Sequence, residues 1–273
     1  MHWLTNKNKN LNKINMLHVI AVLSLAAVIS PAFAEEALPS VTPYRPTVSN
    51  QAALSAPGWA EVETGWVTSQ ANDGSNRGSL PYLVKFAFTD RMGLLLGGEG
   101  YVSQRDAAGD QLNGSGDTML LLKHKLGVSE DGNSAFGLEY GLSSPTASSG
   151  LNSGSGMKDH LMNGIYSTNV AGHSIDLNLN LTTLGTAVAG ESRQQWGWAT
   201  SVSRVLNDRW SVSAELSGTA RQGTKPSDQL LVAASYEMSR RVVWDAGLAA
   251  GLNDTAAKWS VFAGVSILVG KIY

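Results

Sequence analysis

The chain contains no cysteine. An exported protein without cysteine has no disulfide framework, so packing and backbone pairing must hold it together. Charge is also scarce. Asp, Glu, Lys and Arg make up 15% of the 273 residues, against ~25% in an average soluble domain. The formal net charge is −2, which gives no electrostatic basis for holding nucleic acid or an anionic surface. Proline is rare, and four of the eight prolines fall between residues 35 and 58. Long apolar runs are missing with one exception near the N-terminus. No GxxxxGK[ST] or GxGxxG stands between a strand and a helix, so no phosphate cradle is expected.

The exception is "MLHVIAVLSLAAVIS", Met16 to Ser30, which follows Lys7, Lys9 and Lys13 and precedes "AFA" at 32–34. A positive start, an apolar stretch and a small-x-small site are the parts of an export signal. Cleavage is expected between Ala34 and Glu35. The alternative is a membrane anchor, but the apolar stretch is short for a span of ~20 residues.

What the chain has in quantity is alternation. "IDLNLNLTTL" (175–184) places Ile175, Leu177, Leu179 and Leu181 on one face of a strand and Asp176, Asn178, Asn180 and Thr182 on the other. Similar segments are expected at 59–68, 79–88, 92–103, 116–127, 134–144, 159–169, 174–184, 194–205, 210–221, 228–238, 242–252 and 258–272. The connections alternate as well. "TDR", "SEDGN", "VAGH", "NDR" and "SRR" are short, and those between them are mostly longer and rich in Gly and Ser. An even set of about twelve strands with short turns at one end and long loops at the other predicts an all-β fold. The expected architecture is a transmembrane up-and-down antiparallel β-barrel. A soluble exported β-sandwich is the alternative. The expected organisation is a cleaved signal peptide over 1–34, an irregular periplasmic lead-in over 35–58 that enters or caps the periplasmic mouth and is a candidate plug in or at the lumen, and a barrel over 59–273.

The polar face carries mid-strand charges: Glu61, Glu63, Lys85, Glu99, Asp117, Lys123, Lys125, Glu139, Asp176, Glu215, Arg221, Glu237, Asp245 and Lys258. These are the candidate lumen-lining residues. A one-residue slip would push most of them into lipid at up to ~2 kcal/mol each. That sum approaches the ~5–15 kcal/mol stability of a whole domain, so register is strongly specified. Nine acids stand against five bases, which favours cations or neutral solutes unless the charges pair across neighbouring strands.

Aromatics fall at the strand ends on the greasy face. Phe88, Trp210, Tyr236 and Trp244 lie beside short turns, and Trp66, Tyr82, Trp196, Trp198 and Trp259 beside long loops. Two such bands are what membrane interfaces select. The chain closes on "VSILVGKIY", whose terminal Tyr273 resembles the signal read by the barrel-assembly machinery. Lys271 departs from that pattern, though a lysine can snorkel to the interface.

No catalytic constellation is visible, so no enzyme activity is expected. Beyond the signal, His124, His160 and His173 are scattered, and none has a partnering nucleophile or metal-ligand spacing. "NDGSN" (72–76) and "GDQLNG" (109–114) lack the spaced carboxylates of a calcium loop. "GLNSGSG" (150–156) reads as Gly/Ser-rich flexibility. No metal and no cofactor is expected. The expected partners are outer-membrane lipid, the assembly machinery and a small-molecule solute, with the chain a monomer.

Several segments also carry a family likeness: "RPTVSNQAALSAPGWAEVETGW" (45–66), "SLPYLVKFAFTDRMGLLLGGEGY" (79–101), "GDTMLLLKHKLGV" (116–128), "AFGLEYGLSSPTA" (135–147) and "DHLMNGIYS" (159–167). The chain resembles the bacterial outer-membrane barrels named for the meta-pathway of phenol degradation. The resemblance implies a Gram-negative outer-membrane location and passage of small, often hydrophobic compounds. It carries no binding-residue motif onto this sequence. A non-transport envelope barrel, as anchor or membrane enzyme, is the competing function.

Overall fold

The computed structural model describes residues 38–151 and 154–273. The signal segment and its expected cleavage site lie outside the described residues, as do positions 152 and 153 of the Gly/Ser-rich loop. Among the described residues every regular element is a strand. They are β1 (Trp59–Gln70), β2 (Asn76–Ala87), β3 (Met92–Arg105), β4 (Gln111–Gly114), β5 (Thr118–Val128), β6 (Ser134–Ser144), β7 (Asp159–Val170), β8 (His173–Thr183), β9 (Gln194–Val205), β10 (Trp210–Arg221), β11 (Ser227–Ser239), β12 (Val242–Gly251) and β13 (Trp259–Lys271).

Each long strand pairs antiparallel with its neighbours in the chain, and β13 returns to pair with β1 from Trp59↔Lys271 to Gln70↔Trp259. The sheet therefore closes into a twelve-strand barrel with no free edge. The thirteenth strand, β4, pairs only with the far end of β3, Val102–Arg105. It sits where the sequence predicts plain loop, because "QLNG" has one apolar residue and no alternation to read. Lys258, expected at the start of the last strand, instead lies exposed in the loop before β13.

Local chemistry fixes the hairpins. The β7–β8 turn is two residues, Ala171 and Gly172, both at positive φ (50° and 77°). That is the geometry a two-residue hairpin needs to match strand twist, and glycine takes its share without a Cβ clash. Pro81 falls where the β2–β3 register shifts, a place in a sheet that tolerates a residue with no N–H to donate.

The two faces have opposite chemistry. One row runs outward around the barrel through Leu94, Leu122, Tyr140, Met162, Leu181 and Trp196, each opposite the next. Leu179 on the same surface is 58% exposed. Such a continuous apolar exterior exceeds what a soluble monomer exposes. It is a lipid-facing belt, and the chain is an outer-membrane β-barrel, which overturns the soluble sandwich. Aromatic pairs mark both rims: Trp66 with Tyr101 at the long-loop end, Trp210 with Tyr236 and Phe86 with Tyr273 at the short-turn end. Tyr273 also donates its hydroxyl to the Phe88 carbonyl at 2.6 Å.

Candidate functional site: a filled lumen

The inward row beside that belt reads Lys123, Glu139, Asn163 and Asn180. These side chains do not face an empty bore. Residues 41–52 run through the barrel interior before the chain leaves at Gly58 to begin β1. The segment crosses at the height of mid-strand residues and so reaches deeper than the mouth.

Carboxylates on the wall hold the segment by its backbone. Glu61 accepts from the Thr42 N–H at 3.1 Å, and Glu63 accepts from Tyr44 and Arg45 at 2.8 and 3.1 Å. Glu215, across the barrel, accepts from Val48 and Ser49 at 3.1 and 2.8 Å. Asn178 both accepts from the Asn50 N–H (3.0 Å) and donates to its carbonyl (2.8 Å). The Ser167 hydroxyl accepts from Ala52 at 2.8 Å. Asp176 in turn accepts from the Ser167 hydroxyl.

Ammonium and guanidinium groups balance the carboxylates. Lys85 meets Glu61 at 2.9 Å and Glu63 at 2.5 Å and also donates to the Thr42 carbonyl. Lys123 meets Glu139 at 3.0 Å and donates to the Gln51 carbonyl at 2.6 Å. Arg45 grips Asp245 with two bonds of 3.0 and 2.9 Å. The Tyr44 ring lies between the two lysines, each Nζ 4.1 Å from its centroid, a favourable contact for a cation over a π face. Burial of these charges is extreme: Glu61 and Lys123 are both at 0% exposure. Charges so buried persist only when paired and hydrogen-bonded.

Two glycines make room for the clamp. A Cβ on Gly264 would lie 2.4 Å from Arg45 Nε, and one on Gly65 would lie 2.9 Å from its Nη2. The facing pair Gly65↔Gly264 is therefore the floor on which the guanidinium lies.

The predicted charges divide into groups. Glu61, Glu63, Lys85, Lys123, Glu139, Asp176, Glu215 and Asp245 gather around the segment. Glu99 pairs with Arg77 at 2.5 Å and Arg221 with Glu191 at 2.8 Å, both toward the long-loop end. Asp117, just before β5, accepts from the Ala147 N–H. Lys125 and Glu237 lie near the short-turn end of their strands, Glu237 exposed. Of the histidines, His160 meets the Tyr140 hydroxyl at 2.7 Å.

Sequence reasoning missed an apolar component of the interior. Tyr44 packs with Leu95 and Leu121, flanked by Leu83, Met119 and Leu161. Across the bore Phe262 packs with Leu231 and Ala249. The missed signal was the leucine run at 94–96 and again at 120–122: consecutive leucines are greasy on both faces of a strand.

Among the described residues, one cavity lies on each side of the segment. The cavity toward the long loops is about 480 Å³ and has Val48 and Asn50 of the segment in its lining. Leu83, Leu95, Met119, Leu121 and Leu161 line it together with Asn163, Asn178, Asn180, Ser217 and Gln229. The cavity toward the short turns is about 320 Å³ and is rich in serine, with Ser174, Ser201, Ser203, Ser211, Ser213 and Ser235 in its lining.

Solved structures share this architecture. The KdgM porin in complex with disordered oligogalacturonate overlaps with a TM-score of 0.52 at 11% identity, covering 77% of this chain and 99% of that one. The NanC porin overlaps with a TM-score of 0.52 at 9% identity, covering 77% of this chain and 100% of that one. At such identity the overlap speaks for fold. No protein-family model matches the sequence, and no curated protein matches it.

Proposed function

We propose that this chain is a channel for passive passage of small, uncharged compounds, hydrophobic or aromatic ones among them, across the outer membrane. On this reading the segment at 41–52 is its closure. The observation that carries the proposal is the pair of cavities divided by that segment. The segment is tied to the wall largely by hydrogen bonds and ion pairs, which water or a solute can replace one at a time. A solute entering from the long-loop side would reach the 480 Å³ cavity first, and displacement of the segment would join it to the serine-lined side. Porin-like neighbours and the likeness to the phenol meta-pathway barrels support the same reading.

The filled lumen also suits the competing anchor function, since a barrel that transports nothing needs no bore. Solute uptake separates the two. Liposomes carrying the full-length protein should take up a small neutral solute faster than empty liposomes, and a charged solute of equal size more slowly than the neutral one. Uptake equal to that of empty liposomes for every solute would favour the anchor.

A further inference from the structure

The carboxylates around the segment differ in what holds them. Glu61 and Glu63 share Lys85, Glu139 has Lys123, and Asp245 has Arg45. Glu215 accepts from two backbone N–H groups of the segment. Asp176 has, among the described residues, neither a cation at ion-pair distance nor a backbone donor. One oxygen, Oδ1, accepts from the Ser167 hydroxyl, and Oδ2 is left over. The side chain is half-buried and lines the serine-rich cavity on the short-turn side. A carboxylate drawn out of water without a partner is costly, and a cation beside it would remove that cost.

A second residue meets the same space. Ser201 stands opposite Asp176 across the β8–β9 ladder and is 2% exposed. Its hydroxyl has no hydrogen-bond partner among the described residues and retains accessible surface, and the cavity is the space it meets. Ser203, the next inward residue of β9, lines the cavity as well and is likewise without a partner among them. Of the two guanidinium groups in the lining, Arg45 is held by Asp245 and Arg209 is exposed. An anion therefore gains little there.

From these features we infer a binding site for the ammonium head of a small primary amine, entered from the short-turn side. An ammonium group has three N–H donors. One serves Asp176 Oδ2, and the others serve the hydroxyls of Ser201 and Ser203, which accept as readily as they donate. At about 320 Å³ the cavity is at the small end of small-molecule sites and suits a compound of few heavy atoms. Calcium fits less well, because it takes about six to eight oxygen ligands and one carboxylate stands here. The site requires no passage through the barrel, so it is independent of the channel reading.

The test is ligand-observed NMR titration of full-length protein in detergent, at neutral pH and low salt, with ethylammonium chloride and with tetramethylammonium chloride. Both cations carry one charge, and only the first has N–H donors. Wild type should bind ethylammonium about tenfold more tightly, the order expected of hydrogen bonds to a charged group. Asp176→Asn keeps the shape and the acceptor for Ser167, and it should weaken ethylammonium about tenfold. Glu237→Gln removes a charge that lines the same cavity but is exposed, and it should change binding by less than about twofold, because water and salt screen it. Ser201→Ala should weaken ethylammonium several-fold and leave tetramethylammonium unchanged. Heat-modifiable migration shows that each variant is a folded barrel. No binding of ethylammonium by wild type would overturn the site, as would equal binding of the two cations. Equal losses in Asp176→Asn and Glu237→Gln would also overturn it, since they would mean diffuse attraction, and so would a folded Ser201→Ala protein that binds both cations as wild type does.

Discussion

Lys85→Met should destabilise the barrel by about 3–5 kcal/mol, the cost of leaving buried charge without its partner. Lys85 is the ammonium between Glu61 and Glu63, and all three side chains are at most 2% exposed. Methionine keeps most of the hydrocarbon stem, so lost packing contributes little. What remains is two carboxylates whose other donors are backbone N–H groups of Thr42, Tyr44 and Arg45. The check is urea unfolding in detergent, followed by heat-modifiable migration on a gel. The triple variant Lys85→Met, Glu61→Gln, Glu63→Gln should recover most of the loss, because the unpaired charge is gone. A loss below about 1 kcal/mol for Lys85→Met, the scale of an exposed pair, would mean that water already reaches the network.

Leu179→Arg and Asn178→Arg should behave oppositely although they are neighbours. Leu179 lies on the lipid belt, 58% exposed in the isolated chain. A charge there meets hydrocarbon, at a cost of roughly 2–4 kcal/mol near the midplane. Folded protein in the outer membrane should fall. Asn178 faces inward and holds Asn50 by two hydrogen bonds. Arginine at that position cannot reproduce both. Asp176, two residues along on the same face and held only by the Ser167 hydroxyl, is the carboxylate placed to receive it. Asn178→Arg should therefore fold, release Asn50 and raise permeation. Equal amounts of folded protein for both variants would contradict the assignment of faces.

The division that those two residues test was legible in the sequence, because alternation over ten-residue stretches leaves one register that keeps charge out of lipid. Strand bounds followed to within a few residues, and β6, β9 and β10 fell at the expected positions. Strand β4 was not legible, since its pairing depends on β3 overrunning its other neighbour. The contents of the lumen were legible only in part. Charge pairing between adjacent strands is written in register, as at Glu61↔Lys85 and Lys123↔Glu139. Apart from Glu99, which pairs with Arg77 of β2, the excess of acids over bases had no counterpart on the strands. Its partners are backbone N–H groups of the lead-in and the Arg45 guanidinium, and a backbone donor leaves no mark in residue type. The leucine at the centre of each run, Leu95 and Leu121, faces inward to Tyr44 for the same reason: the interior is packed against a segment of the chain itself.

Single-channel conductance in planar bilayers, wild type against a deletion of residues 41–52, tests the account most directly. The deletion removes the segment that divides the two cavities and leaves the wall charges facing water, where they are solvated rather than stranded. Wild type should conduct poorly or in brief events, and the deleted protein should conduct steadily, several-fold more, while still migrating as a folded barrel. A folded deletion variant with the conductance of wild type would contradict the claim that this segment closes the lumen.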